Sequence, residues 1–393
     1  MGGSFEEDPY PAFHRLRETG PVHPGTPGRL IGFQGTEFFH GLPEPDREHF
    51  SVFDFETCDA IVRNPEVFRM APPDPDEGER LLHKTSILYM DGDRHRRYRA
   101  LVQPSFVPGK AQWWIRSWIE TTVHALIDNI ESAGTADLNV DFCAAIPLLT
   151  ICGSMGVSVE DALDIRESVT SGGQAVDRFM QIVHPIVAAR RSRPADDLIS
   201  VLVQAELTEG GETHTLSDPE ILSFAYLLMA AGSGTTWKQM GITLTALLDR
   251  PELTDAVRAD RSLLPAVVEE GVRWMPTDPV FSRFLWEETT IHGVTMPVGS
   301  VTHQCYAAAN RDPARWDDPD TFDPRRTPRT HLAFGSGPHV CVGMHVARAE
   351  INTGVGALLD RLPGLRRNPD AESGRIIGMY ERGPTAVPAV WDA

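Results

Sequence analysis

The sequence feature that most constrains this chain is a single cysteine in a glycine-rich loop, Phe334-Gly-Ser-Gly-Pro-His-Val-Cys341-Val-Gly343. Cys341 belongs to no set of four cysteines and histidines at the spacing of a zinc site. One thiolate can instead supply the single axial bond to an iron held by a porphyrin. A helical pattern follows from Met344, and a helix N-terminus close to the sulfur favours the thiolate.

An isolated cysteine in a glycine-rich turn is more often buried and inert. This loop, however, resembles the haem-binding signature of the cytochromes P450 at six positions: Phe334, Gly335, Gly337, His339, Cys341 and Gly343. On that resemblance the chain is identified as a soluble bacterial-type cytochrome P450. The resemblance implies a mainly α fold with small β-sheets, haem b (iron protoporphyrin IX) as cofactor and Cys341 as the metal ligand.

The periodicity of apolar residues agrees with a mainly helical chain. Helical spacing predicts helices over Gln112–Glu131 and Ser217–Leu248, the second ended by Asp249-Arg250-Pro251. Alternating and β-branched residues predict strands near both ends, in Arg29–Phe39, Ser51–Phe55, Ile291–Val301 and Thr385–Trp391. Strands from both ends around a helical body favour one interlaced domain over residues 1–393.

The charge and the cysteines exclude several classes of protein. The net charge is −19, from 55 acidic and 36 basic side chains, which disfavours nucleic acid and anionic membranes as partners. Five scattered cysteines without a CxxC pair indicate reduced thiols in the cytoplasm. The first twenty residues are charged and lack the apolar core of a signal peptide, so we expect no membrane anchor.

A second constellation lies in Glu270-Gly-Val-Arg273. Two charges three residues apart share a helix face, and taken alone they are usually a solvated surface pair. The segments 310–313 and 316–326 resemble the family's sequence before the cysteine loop. The resemblance implies that Arg326 joins Glu270 and Arg273 in a structural ion-pair network.

The haem propionates need cationic donors, for which arginine is well suited. His95 and Arg99 lie four residues apart and match the family's HxxxR, and Arg283 stands ten residues before Gly293. With His339 this gives four candidate donors. The alternative for residues 94–99 is a basic helix surface.

The long helix carries the candidate oxygen site, Ala231-Gly232-Ser-Gly234-Thr235-Thr236. By resemblance, Gly232 lets the helix bulge over the iron and the Thr235 hydroxyl holds water that delivers protons. The alternative is a threonine that hydrogen-bonds back to its own helix. The family usually has Asp or Glu where this chain has Gly234. Protons therefore arrive through ordered water in the vacated space, assisted by Ser233, or the enzyme uses peroxide or chemistry without a full O2-cleaving cycle.

Family position also suggests an apolar substrate pocket, although core packing is the commoner role of such residues. Its candidate residues are Leu82, Thr85, Ile87, Leu88, Leu227, Ala230, Val280, Phe281, Met379 and Tyr380. The implied reaction is oxidation of a small apolar molecule with O2 and electrons from a ferredoxin and its reductase. The alternatives are a P450-fold peroxygenase or non-monooxygenating enzyme, prompted by Gly234, and a haem-binding sensor. The loop from Glu37 to Arg47 has no assigned role.

Overall fold

The computed structural model describes residues 5–40, 42–75, 86–170, 175–209 and 211–392. Its α-helices are α1 Tyr10–Thr19, α2 Pro27–Leu30, α3 Phe55–Val62, α4 Gly92–Val102, α5 Ala111–Trp114, α6 Glu120–Ile130, α7 Ala145–Ser154, α8 Val159–Thr170, α9 Ala175–Ser192, α10 Leu198–Gln204, α11 Asp218–Leu248, α12 Pro251–Ala259, α13 Leu264–Trp274, α14 Tyr306–Ala309 and α15 Met344–Arg361. A π-helical stretch, Ile115–Ile119, joins α5 to α6, and another, Asn139–Cys143, precedes α7. Short 3₁₀ turns cover Gln103–Ser105, Pro108–Lys110, Glu131–Ala133, Arg261–Leu263 and Gly337–His339.

The strands are short and come from both halves of the chain. They are β1 Val22–Pro24, β2 His49–Val52, β3 Phe68–Arg69, β4 Thr135–Asp137, β5 Glu206–Glu209, β6 Glu212–Thr215, β7 Phe281–Leu285, β8 Thr289–Ile291, β9 Val294–Met296, β10 Val301–Gln304, β11 Arg366–Arg367, β12 Ile376–Ile377, β13 Gly383–Pro384 and β14 Pro388–Val390. The largest sheet has the order β1-β2-β10-β7-β3, in which only the β2–β10 pair is parallel. The predicted fold class, mainly α with small sheets, is confirmed.

The long helix α11 organises the helical body. It follows Ser217, whose N–H and hydroxyl both donate to the Glu220 carboxylate, at 2.8 and 2.7 Å. Pro219 in its first turn suits a helix start. The helix contacts α7, α9, α13 and α15, and its final turns from Gln239 to Leu248 are buried. Within the described ranges, no helix has the combination of length and apolar character that crossing a bilayer requires.

One predicted strand is wrong. Arg29–Phe39 forms no strand, because Thr26 caps the short helix α2 by accepting a hydrogen bond from the Arg29 N–H at 3.4 Å. The strand predicted in Ser51–Phe55 ends at Val52, since Asp54 accepts from the Thr57 N–H at 3.0 Å and begins α3. Capping side chains override the alternating pattern in both places.

A buried ion-pair network fixes the segment before the cysteine loop. Arg273 on α13 donates to both oxygens of Glu270 at 2.7 Å, and Arg326 donates to Glu270 at 3.0 Å. Arg273 also donates to the carbonyls of Asn310 at 2.7 Å and Pro319 at 3.0 Å. The network thereby ties α13 to the irregular chain from 310 to 326.

We expect Glu270→Ala to destabilise the protein by about 3–5 kcal/mol, because it leaves the Arg273 guanidinium buried without a counter-charge. The matched control is Asp255→Ala, whose carboxylate pairs with Arg258 three residues away at 3.1 Å and is 74% exposed. That change should cost about 1 kcal/mol or less. Urea unfolding of both variants measures the difference, and equal losses would contradict a special role for the buried pair.

Candidate active site

The cysteine loop is held by its own backbone. The Cys341 N–H donates to the Phe334 carbonyl at 2.8 Å, and the Gly335 N–H donates to the Leu332 carbonyl at 2.8 Å. Gly337 has φ +67°, and a Cβ there would lie 2.5 Å from the Val62 carbonyl oxygen. Only glycine satisfies both conditions, so the loop can pack this closely on α3. The Phe334 ring lies 4.5 Å from the Arg348 guanidinium.

The Cys341 sulfur lies deep in the protein and yet borders open space. Burial raises the pKa of its thiol, while the N–H of Gly343, Arg99 and Arg348 lower it. The residue is nevertheless exposed, which means that a molecule the size of water can reach it. A Cβ at Gly343 would meet no atom within 4 Å. The sulfur therefore faces a space inside the fold, and donors that stabilise a thiolate surround it.

The middle of α11 is the candidate oxygen site. Ala230 and Ala231 are exposed although Leu228, Met229 and Thr236 beside them are buried. The nearest atom to a Cβ at Gly232 would be Cγ1 of Ile151 at 3.9 Å, so this stretch of helix also borders free space.

The Thr235 hydroxyl donates to the Ala231 carbonyl at 2.8 Å, which is the back-bonded arrangement common for threonine in a helix. A Cβ added at Gly234 would lie 3.3 Å from the Oε1 atom of Glu381. The space left by this glycine therefore adjoins a carboxylate from the C-terminal hairpin.

The four candidate propionate donors come together beside the cysteine loop. The rings of His95 and His339 stack at 3.9 Å between centroids. Arg99 donates to the carbonyls of Pro338 at 3.0 Å and Val340 at 2.6 Å. Burial, together with the nearby charges of Arg283 and Arg99, lowers the pKa of both histidines to about 3, so the imidazoles are neutral at pH 7.

Among the residues that the structure describes, the one carboxylate in this basic cluster is that of Asp91. Its Oδ1 atom lies 3.6 Å from Nε2 of His339. Arg283 is buried, and its Nη1 donates to the neighbouring Ser282 carbonyl at 2.7 Å. Two guanidiniums with a single acidic neighbour leave net positive charge in a buried place. Such a place suits a ligand with carboxylates.

Sequence reasoning missed His40, in the loop that had no assigned role. Its ring stacks on Phe281 at 5.6 Å, and the nearby charges of Arg283 and His339 add to burial in lowering its pKa to about 3. Among the residues that the structure describes, its buried Nδ1 atom has no hydrogen-bond partner. No local motif marks this histidine, because residue 40 is far from strand β7 in the sequence and the two meet only in the folded protein.

These features fit an iron porphyrin. The group would take its axial ligand from Cys341, lie in the space that the sulfur borders, and place its carboxylates among the basic residues. The carboxylates of the haem would then accept hydrogen bonds from Nδ1 of His40 and from the guanidinium of Arg283. Each donor is of the chemical type that a haem requires.

The expected substrate residues separate into three groups. Leu82 and Thr85 lie outside the described residues. Ile87 belongs to the main core and Val280, Met379 and Tyr380 to a second core, where the last three are at most 1% exposed, and their place in a pocket wall stays a prediction. Leu88, Leu227 and Phe281 are half-buried and Ala230 is exposed. These four can line a cavity.

Tyr380 has a different neighbourhood from the expected one. Its hydroxyl donates to Glu37 at 2.5 Å, and Phe39 stacks on its ring at 6.1 Å. Glu37 and Phe39 thus contact the C-terminal hairpin through Tyr380.

Comparisons with known proteins agree with this geometry. The family model described as Cytochrome P450 matches residues 166–363. The mycinamicin IV hydroxylase/epoxidase of Micromonospora griseorubida is 34% identical over 93% of this chain and 95% of its own. The 6-deoxyerythronolide B hydroxylase of Saccharopolyspora erythraea is 32% identical over 94% of this chain and 92% of its own.

Solved structures give the same result. P450BioI, crystallised with a hexadec-9Z-enoic acid ligated acyl carrier protein, superposes with a TM-score of 0.83 at 26% identity, covering 98% of this chain and 99% of that one. CYP109E1 from Bacillus megaterium in complex with testosterone gives 0.82 at 25% identity, covering 98% and 100%. The chain belongs to the cytochrome P450 family and is a haem-thiolate monooxygenase of that family.

Proposed function

We propose that this chain holds haem b through the sulfur of Cys341 and oxidises a small apolar molecule with O2 and two electrons from an external ferredoxin. The observation that carries the proposal is the buried Cys341 sulfur, which faces interior space while the Gly343 N–H points to it. When bound, the haem supplies the activation of O2, and the net reaction turns substrate, O2, two electrons and two protons into oxygenated product and water.

We assign the haem propionates to His95, Arg99, Arg283 and His339, with His40 as a fifth donor. Neutral imidazoles donate one N–H each, and the two guanidiniums supply the charge. Glu270, Arg273 and Arg326 take the structural role of fixing the segment that leads into the cysteine loop.

The propionate assignment is tested by the rate at which haem leaves the protein. Arg283→Gln removes a buried charge that has no ion-pair partner among the described residues, so we expect haem transfer to apomyoglobin to accelerate on the order of tenfold, the effect of one lost charge-assisted hydrogen bond. Arg96→Gln, an exposed change on α4 next to His95, is the control and should leave the rate unchanged. An unaltered rate in the Arg283 variant would contradict the assignment.

The substrate is held by apolar contacts with Leu88, Leu227, Ala230 and Phe281. These residues exclude water and hold a C–H bond near the oxygen site, which is the contribution that a protein makes to such chemistry. The names of the relatives, a mycinamicin IV hydroxylase/epoxidase and an enzyme crystallised with testosterone among them, support a small organic molecule as substrate.

The chain is also proposed to act as one domain in the cytoplasm. Strand β2 from the N-terminal part pairs with β10 from the C-terminal part, and β3 pairs with β7, which supports a single unit. The cysteines at 58, 143, 152 and 305 are buried free thiols, as expected of a reducing compartment.

At the oxygen site, Thr235 positions the water that passes protons. Gly232 and Gly234 leave room for this water, and the neighbouring Thr236 is packed in the interior. The hydroxyl has to turn from the Ala231 carbonyl toward this water, a rotation about one χ1 bond.

The monooxygenase role is tested by turnover with NAD(P)H, O2, ferredoxin and reductase on a compound that displaces the Soret band. We expect Thr235→Ala to divert most electrons to hydrogen peroxide, because the hydroxyl that holds the proton-carrying water is gone. Thr235→Ser keeps a hydroxyl and should restore much of the product yield. Turnover with hydrogen peroxide alone that exceeds the reductase-supported rate would instead identify a peroxygenase.

A further inference from the structure

We propose that Glu381, on the hairpin β12–β13, supplies the carboxylate that α11 lacks at Gly234 and passes protons through water to the Thr235 hydroxyl. The inference rests on the proposed role of Thr235. It replaces the expected assistance by Ser233 with a group from a segment nearly 150 residues away along the chain.

The position of Glu381 is the first support. Its Oε1 atom lies 3.3 Å from where a Cβ at residue 234 would stand. A carboxylate on a side chain at position 234 would extend into the same region, so the two arrangements exclude each other sterically. An acid from the hairpin therefore occupies the place of an acid from the helix.

The fit of the hairpin on the helix is the second support. A Cβ at Gly241 would lie 2.7 Å from Cγ of Pro384, and a Cβ at Gly383 would lie 2.7 Å from Cγ of Lys238. Larger residues at 241 or 383 would push the hairpin away from α11. Glycines at these positions, as at 234, let the Glu381 backbone approach the helix.

The third support is the pairing that orients the carboxylate. Lys238 stands one helical turn after Gly234 and forms an ion pair with Oε1 of Glu381. The next residue, Arg382, points elsewhere, because its Nη1 donates to the Gly378 carbonyl at 2.6 Å. Its backbone N–H donates to the Thr277 carbonyl at 2.7 Å, which anchors the hairpin tip.

A second carboxylate, Asp278, lies beside this pair. Its neighbour Thr277 is fixed to α11 because its N–H donates to Oε1 of Gln239 at 3.1 Å. Burial raises the pKa of Asp278 to about 7, the negative charge of Glu381 raises it too, and Lys238 opposes them. The charged groups that face Glu381 are thus Lys238 from the helix and Asp278 from the loop after α13, with Arg382 turned away.

These groups can form a proton route with balanced charge. The Glu381 carboxylate takes a proton from Asp278 or from solvent, which its side chain reaches through 17% exposure, and passes it to water next to Thr235, which leaves Glu381 a carboxylate again. Asp278 exchanges protons with water near neutral pH and so can reload its neighbour. Two such transfers supply the two protons of the net reaction. Over a full cycle, Glu381 and Asp278 return to the protonation states in which they began.

The activity test uses the haem-loaded enzyme with ferredoxin and reductase. We expect Glu381→Gln to bind substrate with unchanged affinity, measured by the Soret shift, while product formation falls on the order of 10²-fold and peroxide release rises. The solvent deuterium isotope effect on turnover should increase as well. Glu287→Gln, an exposed carboxylate on another hairpin, is the control and should match the parent enzyme.

A relocation variant separates proton delivery from a structural role. Glu381→Ala combined with Gly234→Asp returns a carboxylate to the helix in the space that Glu381 vacates, and we expect it to recover product yield. Gly234→Asp alone meets the Glu381 carboxylate and should not improve on the parent. A failed rescue with an intact Soret band and intact substrate binding would overturn the proposal.

A measurement without turnover completes the test. Infrared difference spectra across neutral pH should contain a carboxyl band that disappears in Asp278→Asn. In Glu381→Gln this band should titrate at lower pH, because the negative charge that raises the pKa of Asp278 is removed. An unmoved band, or a loss of substrate affinity without loss of coupling, would show that Glu381 acts elsewhere. Either result leaves the effect of Thr235→Ala, and with it the monooxygenase role, untouched.

Discussion

The proposed bond from the Cys341 sulfur to a haem iron is the interaction on which the rest of this account depends. Burial raises the pKa of the Cys341 thiol, as does the charge of Asp278, while the Gly343 N–H and the nearby charges of Arg99 and Arg348 lower it and so favour the thiolate that an iron would bind. The backbone of the loop is fixed by the 2.8 Å hydrogen bond from the Cys341 N–H to the Phe334 carbonyl and by the approach of Gly337 to α3. Behind it, the buried Glu270 network ties the preceding segment to α13.

The distribution of charge follows from the same constraint. A chain with a net charge of −19 collects Arg99, Arg283 and three histidines around one interior region. Burial keeps the imidazoles neutral, so the cluster carries the charge of two guanidiniums rather than five cations. Beside α11, the Lys238–Glu381 pair and Asp278 add ionisable groups of a second kind. In our proposals the first cluster anchors the cofactor and the second passes protons.

Local motifs were enough to predict part of this arrangement. The cysteine loop, the Glu270–Arg273 spacing and the capped long helix are contiguous patterns, and each predicts its own local structure. The short strands were harder, because Thr26 and Asp54 begin helices where alternation suggested strands. His40 and Glu381 could not be found from sequence, since only the folded chain brings residue 40 to β7 and residue 381 to Gly234. The core positions of Val280, Met379 and Tyr380 depend equally on packing between distant segments.

The central claim is the sulfur–iron bond at Cys341, and the spectrum of the reduced protein under carbon monoxide tests it most directly. The account predicts the red-shifted Soret band of a sulfur-ligated ferrous haem in the parent protein. It also predicts loss of that band in Cys341→His, with the shorter-wavelength band of a histidine-ligated haem in its place. A parent protein that shows only the shorter-wavelength band, or a Cys341→His variant that keeps the red-shifted one, would contradict the assignment.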